Sequence, residues 1–197
     1  MSAIRAATDQ DIPKVARLFG RAFVDDAMLR WPFPAGATAD DIAVLFSILL
    51  DAYHPLGVVT VTDDVAGAAV WMPPAEAARF LEIEAPTREL IRPLTDDDGA
   101  RYDTFWDWLG GHLPDDPCWF LDILAVDASA RGRGHGTRLI EHGLARAHAE
   151  RLPAFLETSR PDNVALYERF GFQVVEELIA PAGGPAIWFL RADPPRA

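Results

Sequence analysis

The sequence contains a single cysteine, Cys118, so it forms no internal disulfide and has no cysteine-based metal site. This count fits a reducing compartment, and no apolar segment near the N-terminus indicates a secretory signal. We therefore expect a cytoplasmic protein. Long apolar runs are also missing, since the longest covers residues 42–50, is interrupted by Ser47 and is far too short to cross a bilayer. We expect no membrane partner.

Basic residues are scarce. Lys and Arg total 18 against 30 Asp and Glu, giving a net charge of −12. A nucleic-acid partner is therefore not expected, because phosphate contacts need clustered basic side chains. Arg131, Arg133 and Arg138 form the one local exception, where a small polyanion could bind. The five histidines lack ligand spacing, and we expect no metal.

The composition is that of a soluble globular chain, with 50% hydrophobic and 24% charged residues. A length of 197 residues is enough for one domain with a substantial core. No internal repeat, low-complexity stretch or linker interrupts the sequence. We expect residues 1–197 to form a single domain.

The apolar spacing predicts a mixed succession of elements in the first half. A short strand over residues 4–7 precedes a helix that is capped at Thr8 and has apolar periodicity from Ile12. A second helix begins near Thr38 or Asp40, and a hairpin turns at residues 63–64. Residues 75–113 are expected to be helical but broken at Pro86 and Pro93.

The second half has a more regular pattern. It predicts strands over residues 119–126, 154–158, 172–179 and 185–191 and helices over 134–151 and 163–170. A strand–helix–strand succession at this spacing implies a parallel pair with a right-handed crossover. The fold class is therefore α/β (α+β), with a mixed sheet.

A glycine-rich turn, residues 131–137, follows the first of these strands and opens a helix. It is not a P-loop, because no lysine precedes Thr137. It is not a dinucleotide fingerprint either, since Thr137 stands where the third glycine is required. Glycines there allow the backbone to approach an anion, and free amides at a helix N-terminus point toward it. The turn therefore predicts a phosphate site, with Arg131 and Arg133 adding charge-assisted bonds.

The sequence around this turn resembles the GNAT acetyltransferases. The resemblance lies in Arg131-x-x-Gly134-x-Gly136, in the preceding strand end, in Asn163-x-x-x-Tyr167 and in the closing run 167–172. Residues 153–159, 69–71 and 22–26 are further similar to the puromycin N-acetyltransferase branch. The resemblance implies a mostly antiparallel sheet of about seven strands with flanking helices and a splayed central parallel pair.

The resemblance also implies acetyl-CoA as the acyl donor, held by a core of about residues 117–191. In this interpretation the strand end pairs with the pantetheine arm, a backbone amide near Leu124 faces the thioester oxygen, and the turn holds the pyrophosphate. The expected donor-binding residues are Leu124, Ala125, Val126, Arg131, Gly132, Arg133, Gly134, His135, Gly136, Thr137 and Asn163.

The implied chemistry is direct attack of a neutral amine on the thioester, without an acyl-enzyme. Tyr167 is expected to protonate the leaving thiolate, although it could also simply pack against Phe170. Asp122 and Glu157, on adjacent strands, are both candidates for the general base, and a water chain is the third. The residues alone leave these alternatives open.

Residues 20–112 are expected to shape the acceptor site. The resemblance and the aromatic content point to Asp26, Trp31, Phe33 and Trp71 as pocket residues, with core packing as the equal alternative for the rings. The predicted function is acetyl transfer to the amine of a small molecule, for example an antibiotic or a nucleoside-like compound. A non-catalytic acyl-CoA sensor on the same scaffold is the alternative, and the resemblance admits a homodimer.

Overall fold

The computed structural model describes residues 3–195, in which seven strands form one sheet in the order β1-β2-β3-β4-β5-β7-β6. All neighbouring strands are antiparallel except β4 and β5, which are parallel. The strands are β1 Ile4–Ala6, β2 Val59–Thr62, β3 Gly67–Met72, β4 Trp119–Val126, β5 Ala154–Thr158, β6 Gln173–Ile179 and β7 Ala186–Ala192. The predicted fold class, with its single parallel pair, is confirmed.

Seven α-helices of the described chain flank the sheet, and several short 3₁₀ turns connect the elements. The helices are α1 Ile12–Phe23, α2 Ala27–Arg30, α3 Ala39–Tyr53, α4 Ala77–Ile91, α5 Ala100–Gly110, α6 His135–Ala149 and α7 Pro161–Glu168. Within residues 3–195 no helix has the length and apolarity that a bilayer span requires.

Two helix boundaries differ from the sequence-based expectation. The residue before α1 is Asp11 rather than Thr8, and the Thr8 hydroxyl instead donates a hydrogen bond to the Asp11 carboxylate at 2.8 Å. Helix α4 continues through Pro86, which was expected to break it. The Thr87 hydroxyl donates to the Ile83 carbonyl at 2.7 Å in the same turn. Helix α3 begins as predicted, with a capping box between Thr38 and Asp41.

The helices divide between the two faces of the sheet. Helices α1 and α3 pack over β2, β3 and the end of β4, where Val70, Ile123 and Ala125 belong to one buried cluster. Helix α6 covers the other face, where Trp119 and Leu121 belong to a second cluster that also includes Tyr167. Helix α5 covers a third cluster on the first face, over β5 and β7.

A bulge in β4 changes which side chains face which layer. Val70 of β3 pairs with Ile123 and the next residue, Trp71, pairs with Leu121, so Asp122 is the extra residue. Before the bulge, Leu121 faces α6, and after it Ile123 faces α1 and α3. Asp122 and Ile123 therefore lie on the same side, although they are consecutive in the strand.

The parallel pair β4–β5 separates soon after it begins. Only Trp119 with Ala154 and Phe120 with Phe155 are paired, and beyond them the two strands diverge. The β5-facing edge of β4 from Leu121 to its end therefore has no strand partner within the sheet. The result is a V-shaped slot whose apex lies at the stacked rings of Phe120 and Phe155, 6.3 Å apart.

Helix α6 approaches the sheet closely at Gly143. A Cβ added there would overlap the indole ring of Trp71, which is fully buried and donates a hydrogen bond from Nε1 to the Leu139 carbonyl at 3.2 Å. We expect Gly143→Ala to destabilise the protein by about 2 kcal/mol or more, because neither the ring nor the helix can move freely.

Thermal unfolding of purified variants measures this effect. Gly110→Ala is the matched control, because Gly110 also lies in a helix but an added Cβ there meets nothing within 4 Å. We expect the control to unfold at the wild-type temperature or slightly above it. Equal stability of the two variants would contradict the packing described for Trp71.

Candidate active site

Two carboxylates face each other where the slot opens. Asp122 and Glu157 each lie two residues beyond the last paired residues, Phe120 and Phe155, and so project from the same face of the sheet as those rings. Oδ2 of Asp122 and Oε2 of Glu157 are buried without a hydrogen-bond partner. Buried polar atoms of this kind are rare in folded proteins and are typical of functional sites.

Burial raises the pKa of Asp122 to about 6, because the carboxylate loses hydration, while a hydrogen bond with Tyr53 acts in the opposite direction. The group is therefore mostly ionised at neutral pH but remains able to accept a proton. This combination suits a general base.

Glu157 is only 8% exposed. Its pKa lies well above the usual value because of burial first, and then because of the negative charges of Asp122 and Asp26. Two neighbouring carboxylates cannot both ionise at low cost. The carboxyl whose pKa is raised more therefore keeps its proton over a wider pH range. We infer that Glu157 holds a proton more readily than Asp122 does, so the two acids are suited to different roles.

Tyr167 lies on the opposite face, where its ring packs edge-on against Phe172 with 5.8 Å between centroids. It is 7% exposed, and its pKa is raised by burial and by the charges of Glu157 and Asp26. The phenol therefore stays protonated at neutral pH. Tyr167 thus lies near Glu157 on the α6 side of the sheet, whereas Asp122 lines an apolar pocket on the α3–α5 side.

Asp26 lies near Glu157 and Tyr167 and does not line the apolar pocket on the α3–α5 side. Its carboxylate caps α2 by accepting from the Met28 amide at 3.0 Å. It also accepts from the Ser159 hydroxyl, at 3.0 and 3.2 Å to its two oxygens. These bonds join the loop after α1 to the end of β5, and they hold a negative charge close to Glu157 and Tyr167.

The glycine-rich turn lies at the wide end of the slot. Gly132 and Gly134 both have positive φ, 76° and 77°, and Gly134 directly precedes α6. No side chain caps that helix, so its first amides remain available to an anion. Arg131 and Arg133 are exposed, and neither forms an ion pair within residues 3–195.

His135 and Asn163 have more specific surroundings. The His135 side chain is buried, and its Nδ1 lies 3.0 Å from Nη2 of Arg138, so only its backbone faces the turn. Asn163 lies in the first turns of α7 and donates from Nδ2 to the Thr158 hydroxyl at 3.3 Å. Leu124, Ala125 and Val126 form the unpaired edge of β4, while Gly136 and Thr137 begin α6.

A large apolar pocket opens on the α3–α5 side of the slot. Its empty volume is about 1120 Å³, including its open mouth. The walls are mainly hydrophobic side chains of α3, α4 and α5, among them Phe46, Leu49, Phe80 and Leu109. Asp122 and Ile123 of the bulge line the same pocket. We call this region the apolar pocket.

Three predicted pocket residues lie elsewhere. Trp71 is buried under α6, on the face opposite the apolar pocket, because the alternation of β3 turns it there. Phe33 is buried in the core, with its ring edge-on to Tyr102. Trp31 packs against Phe105, 6.2 Å between centroids. None of these three rings lines the apolar pocket, and a contact between them and the acceptor stays a prediction.

The sequence-based prediction did not single out Tyr53 and Tyr102, which line the apolar pocket near Asp122. Tyr53 follows Phe46 and Leu49 on one face of α3, at positions i, i+3 and i+7. That periodicity is a signal from which its pocket-facing position could have been read. Tyr102 sits in the aromatic run of α5, where spacing alone does not separate wall from core.

Within residues 3–195 no group of three or more His, Cys, Asp or Glu side chains is arranged to hold a metal ion.

Comparison with known proteins identifies the architecture. The model of the acetyltransferase (GNAT) family matches residues 22–172, more than half of the chain. The chain belongs to the GNAT acetyltransferase family. This family consists of acyltransferases, and it implies acetyl-CoA as the donor.

Among GNAT proteins, an uncharacterized N-acetyltransferase of Schizosaccharomyces pombe is 28% identical over 139 residues. The match covers 65% of this chain and 56% of that protein, so the chain spans little more than half the length of this relative.

Solved structures show the same fold. A Corynebacterium glutamicum structure, described as histone acetyltransferase HPA2 and related acetyltransferase, has a TM-score of 0.72 and 26% identity, covering 100% of this chain and 99% of that one. A Drosophila melanogaster polyamine N-acetyltransferase that forms N-acetylagmatine has a TM-score of 0.62 and 15% identity, over 98% of this chain and 100% of that one. A mosquito arylalkylamine N-acetyltransferase-like protein has a TM-score of 0.61 and 17% identity, over 98% of this chain and 100% of that one. The last two similarities concern the fold alone.

Proposed function

We propose that the protein transfers the acetyl group of acetyl-CoA to the amine of a small molecule by direct attack. The observation that carries this proposal is the position of Asp122 on the α3–α5 side of the sheet and of Tyr167 on the α6 side, with Glu157 close to both. An ionisable base on one side and a protonated phenol on the other are the two groups that amine acylation needs.

The residues around the slot fit an acyl-CoA donor. The unpaired edge of β4, residues 121–126, has the backbone groups that an extended amide-containing arm could pair with like an added strand. The uncapped start of α6 and the two glycines of positive φ suit a pyrophosphate. We propose that Leu124, Ala125 and Val126 contact the arm, that residues 131–137 hold the phosphates, and that Asn163 contacts the donor from α7.

We propose the following division of proton transfers. Acetyl-CoA supplies the activated acyl carbon. Asp122 accepts a proton from the amine as the new C–N bond forms, and Tyr167 donates its proton to sulfur as the C–S bond breaks. The raised pKa of Glu157 favours its protonated form, which leaves Asp122 as the better base of the facing pair. Cys118 lies outside the slot, and burial raises the pKa of its thiol, so a cysteine nucleophile has no support.

The division of the chain that the sequence suggested is retained in the proposal. About residues 117–191 form the donor-binding core, and about residues 20–112 provide the walls of the apolar pocket for the acceptor. The similarity to the puromycin N-acetyltransferase branch, the cytoplasmic location, the absence of a metal and the homodimer stay predictions.

A thiol-release assay with acetyl-CoA and a set of primary amines tests the proposal, together with thermal unfolding in the presence of CoA. We expect acetyl-CoA at a hundred times its Kd to stabilise the protein by about 2.7 kcal/mol and at least one amine to be acetylated. Stabilisation without turnover of any amine would favour the non-catalytic acyl-CoA sensor. If neither acetyl-CoA nor CoA stabilised the protein, both the acetyltransferase function and the sensor function would be contradicted.

The arginines of the turn are expected to contribute directly to donor affinity. We expect the double variant Arg131→Ala, Arg133→Ala to bind CoA about tenfold more weakly or worse, because each charge-assisted bond to a phosphate is worth roughly 1.5–3 kcal/mol. Calorimetric titration at two salt concentrations measures the loss and its screening.

Arg79→Ala is the control for general charge. Arg79 is an exposed arginine of α4, paired with Glu76 at 2.7 Å and remote from the turn. Its removal should leave the Kd for CoA unchanged. Equal weakening in the control and the double variant would show that net charge, rather than the turn, sets the affinity.

A further inference from the structure

The charges around the apolar pocket are almost all paired within the protein. Glu84 accepts from Nη2 of Arg88 at 2.6 Å, and the same guanidinium donates to Asp107 at 2.5 Å. Asp103, beside them on α5, accepts from Arg92 at 3.0 Å. Of the two carboxylates that line the apolar pocket, Glu84 is therefore paired with Arg88.

Asp122 is the exception. Its Oδ2 has no partner among the described residues, and it lies on the β4 wall of the apolar pocket. A buried carboxylate oxygen without a partner is costly, so Oδ2 is suited to receive a hydrogen bond from a ligand. A ligand amine would provide that bond at one point of the pocket only.

The rest of the wall favours hydrophobic contact. Phe46, Leu49, Phe80 and Leu109 surround a space large enough for a ring-bearing molecule. A second ammonium group placed there would have to displace Arg88 from Glu84 or remain unpaired in apolar surroundings, and both are unfavourable. A hydroxyl-rich sugar would lose its hydration without finding hydrogen-bond partners.

We infer that the acceptor is a monoamine with a bulky apolar or aromatic body, rather than a polyamine, a guanidinium-bearing amine or an amino sugar. This inference rests on the proposed function and specifies its substrate class. The amine nitrogen lies at Asp122, and the apolar body fills the space between α3, α4 and α5. Acetylation then replaces an N–H bond by the new C–N bond, with the proton passing to Asp122.

Four amines distinguish the classes. We expect kcat/KM for 2-phenylethylamine to exceed those for spermidine, agmatine and glucosamine at least tenfold, because only the first places no polar group against the walls. A higher or equal kcat/KM for one of the other three overturns the inference while leaving acetyl transfer intact. No turnover of any of the four, or of any other amine, overturns the proposed function together with the inference.

A pair of matched variants tests the wall directly. Leu81 and Leu90 are both exposed leucines of α4, at 64% and 62%, but only Leu81 lines the apolar pocket. We expect Leu81→Asp to lower kcat/KM for 2-phenylethylamine about tenfold and to raise that for agmatine, by adding a free carboxylate at the mouth.

Leu90→Asp should change neither value by more than about twofold. Because both leucines are exposed, both variants are expected to fold, and thermal unfolding verifies this. Equal effects of the two substitutions, or a Leu81→Asp enzyme with wild-type preference, would overturn the assignment of the apolar pocket as the acceptor site.

Discussion

Replacement of Tyr167 by phenylalanine is expected to lower kcat about a hundredfold or more, with little change in the affinity for acetyl-CoA. The phenol stays protonated at neutral pH because burial and the charges of Glu157 and Asp26 raise its pKa. Its loss removes the proton donor for the leaving sulfur, an effect typically worth 10²- to 10⁴-fold. The ring itself, packed against Phe172, is retained.

Single-turnover rates and calorimetric binding of acetyl-CoA measure the two quantities separately. The retained ring should keep the unfolding temperature near that of the wild type, so that a fall in rate is not a fall in stability. An unchanged rate, under conditions where the chemical step limits turnover, would assign Tyr167 to packing alone.

The pH dependence of kcat/KM is expected to separate the two carboxylates. With Asp122 as base, kcat/KM calculated for the neutral form of the amine should rise with pH through about 6 and then level, because only the ionised form of Asp122 accepts the proton. In Asp122→Asn the rising limb should disappear, and kcat/KM should fall about a hundredfold or more. An asparagine of nearly the same shape preserves the packing at the bulge.

Glu157→Gln is the matched comparison. Since the raised pKa of Glu157 favours its neutral form, a neutral amide in its place should keep the limb near pH 6 and lower kcat/KM less than tenfold. Loss of the limb in Glu157→Gln instead of Asp122→Asn would make Glu157 the base. A limb that persists in both variants would indicate a water chain.

Local sequence signals anticipated most of the sheet and the position of the glycine-rich turn. Strand β4 and helix α6 are long and strongly periodic, and their succession requires a crossover, so the parallel pair was predictable. Pro86 misled the prediction because a proline removes one hydrogen bond but does not always end a helix, and α4 continues through it.

The acceptor side could not be predicted with the same success. Its walls come from α3, α4 and α5, and which face of each helix meets the pocket depends on how the helices pack against one another. Aromatic content alone cannot distinguish Tyr102, which lines the pocket, from Phe33, which packs against it from the core. The position of the bulge could not be predicted either, because one extra residue at Asp122 has no compositional marker.

Because of that extra residue, the alternation of side chains between the two faces of the sheet shifts by one residue within β4. Ahead of Asp122 the odd-numbered side chains, such as Leu121, face α6, whereas beyond it the odd-numbered Ile123 and Ala125 face the acceptor side. Deletion of Asp122 would remove the bulge and leave Leu121, Ile123 and Leu124 in regular alternation, each on the side of the sheet that it has now. The extra residue therefore adds a carboxylate to the acceptor side of the strand without moving any other side chain of β4 to the opposite layer.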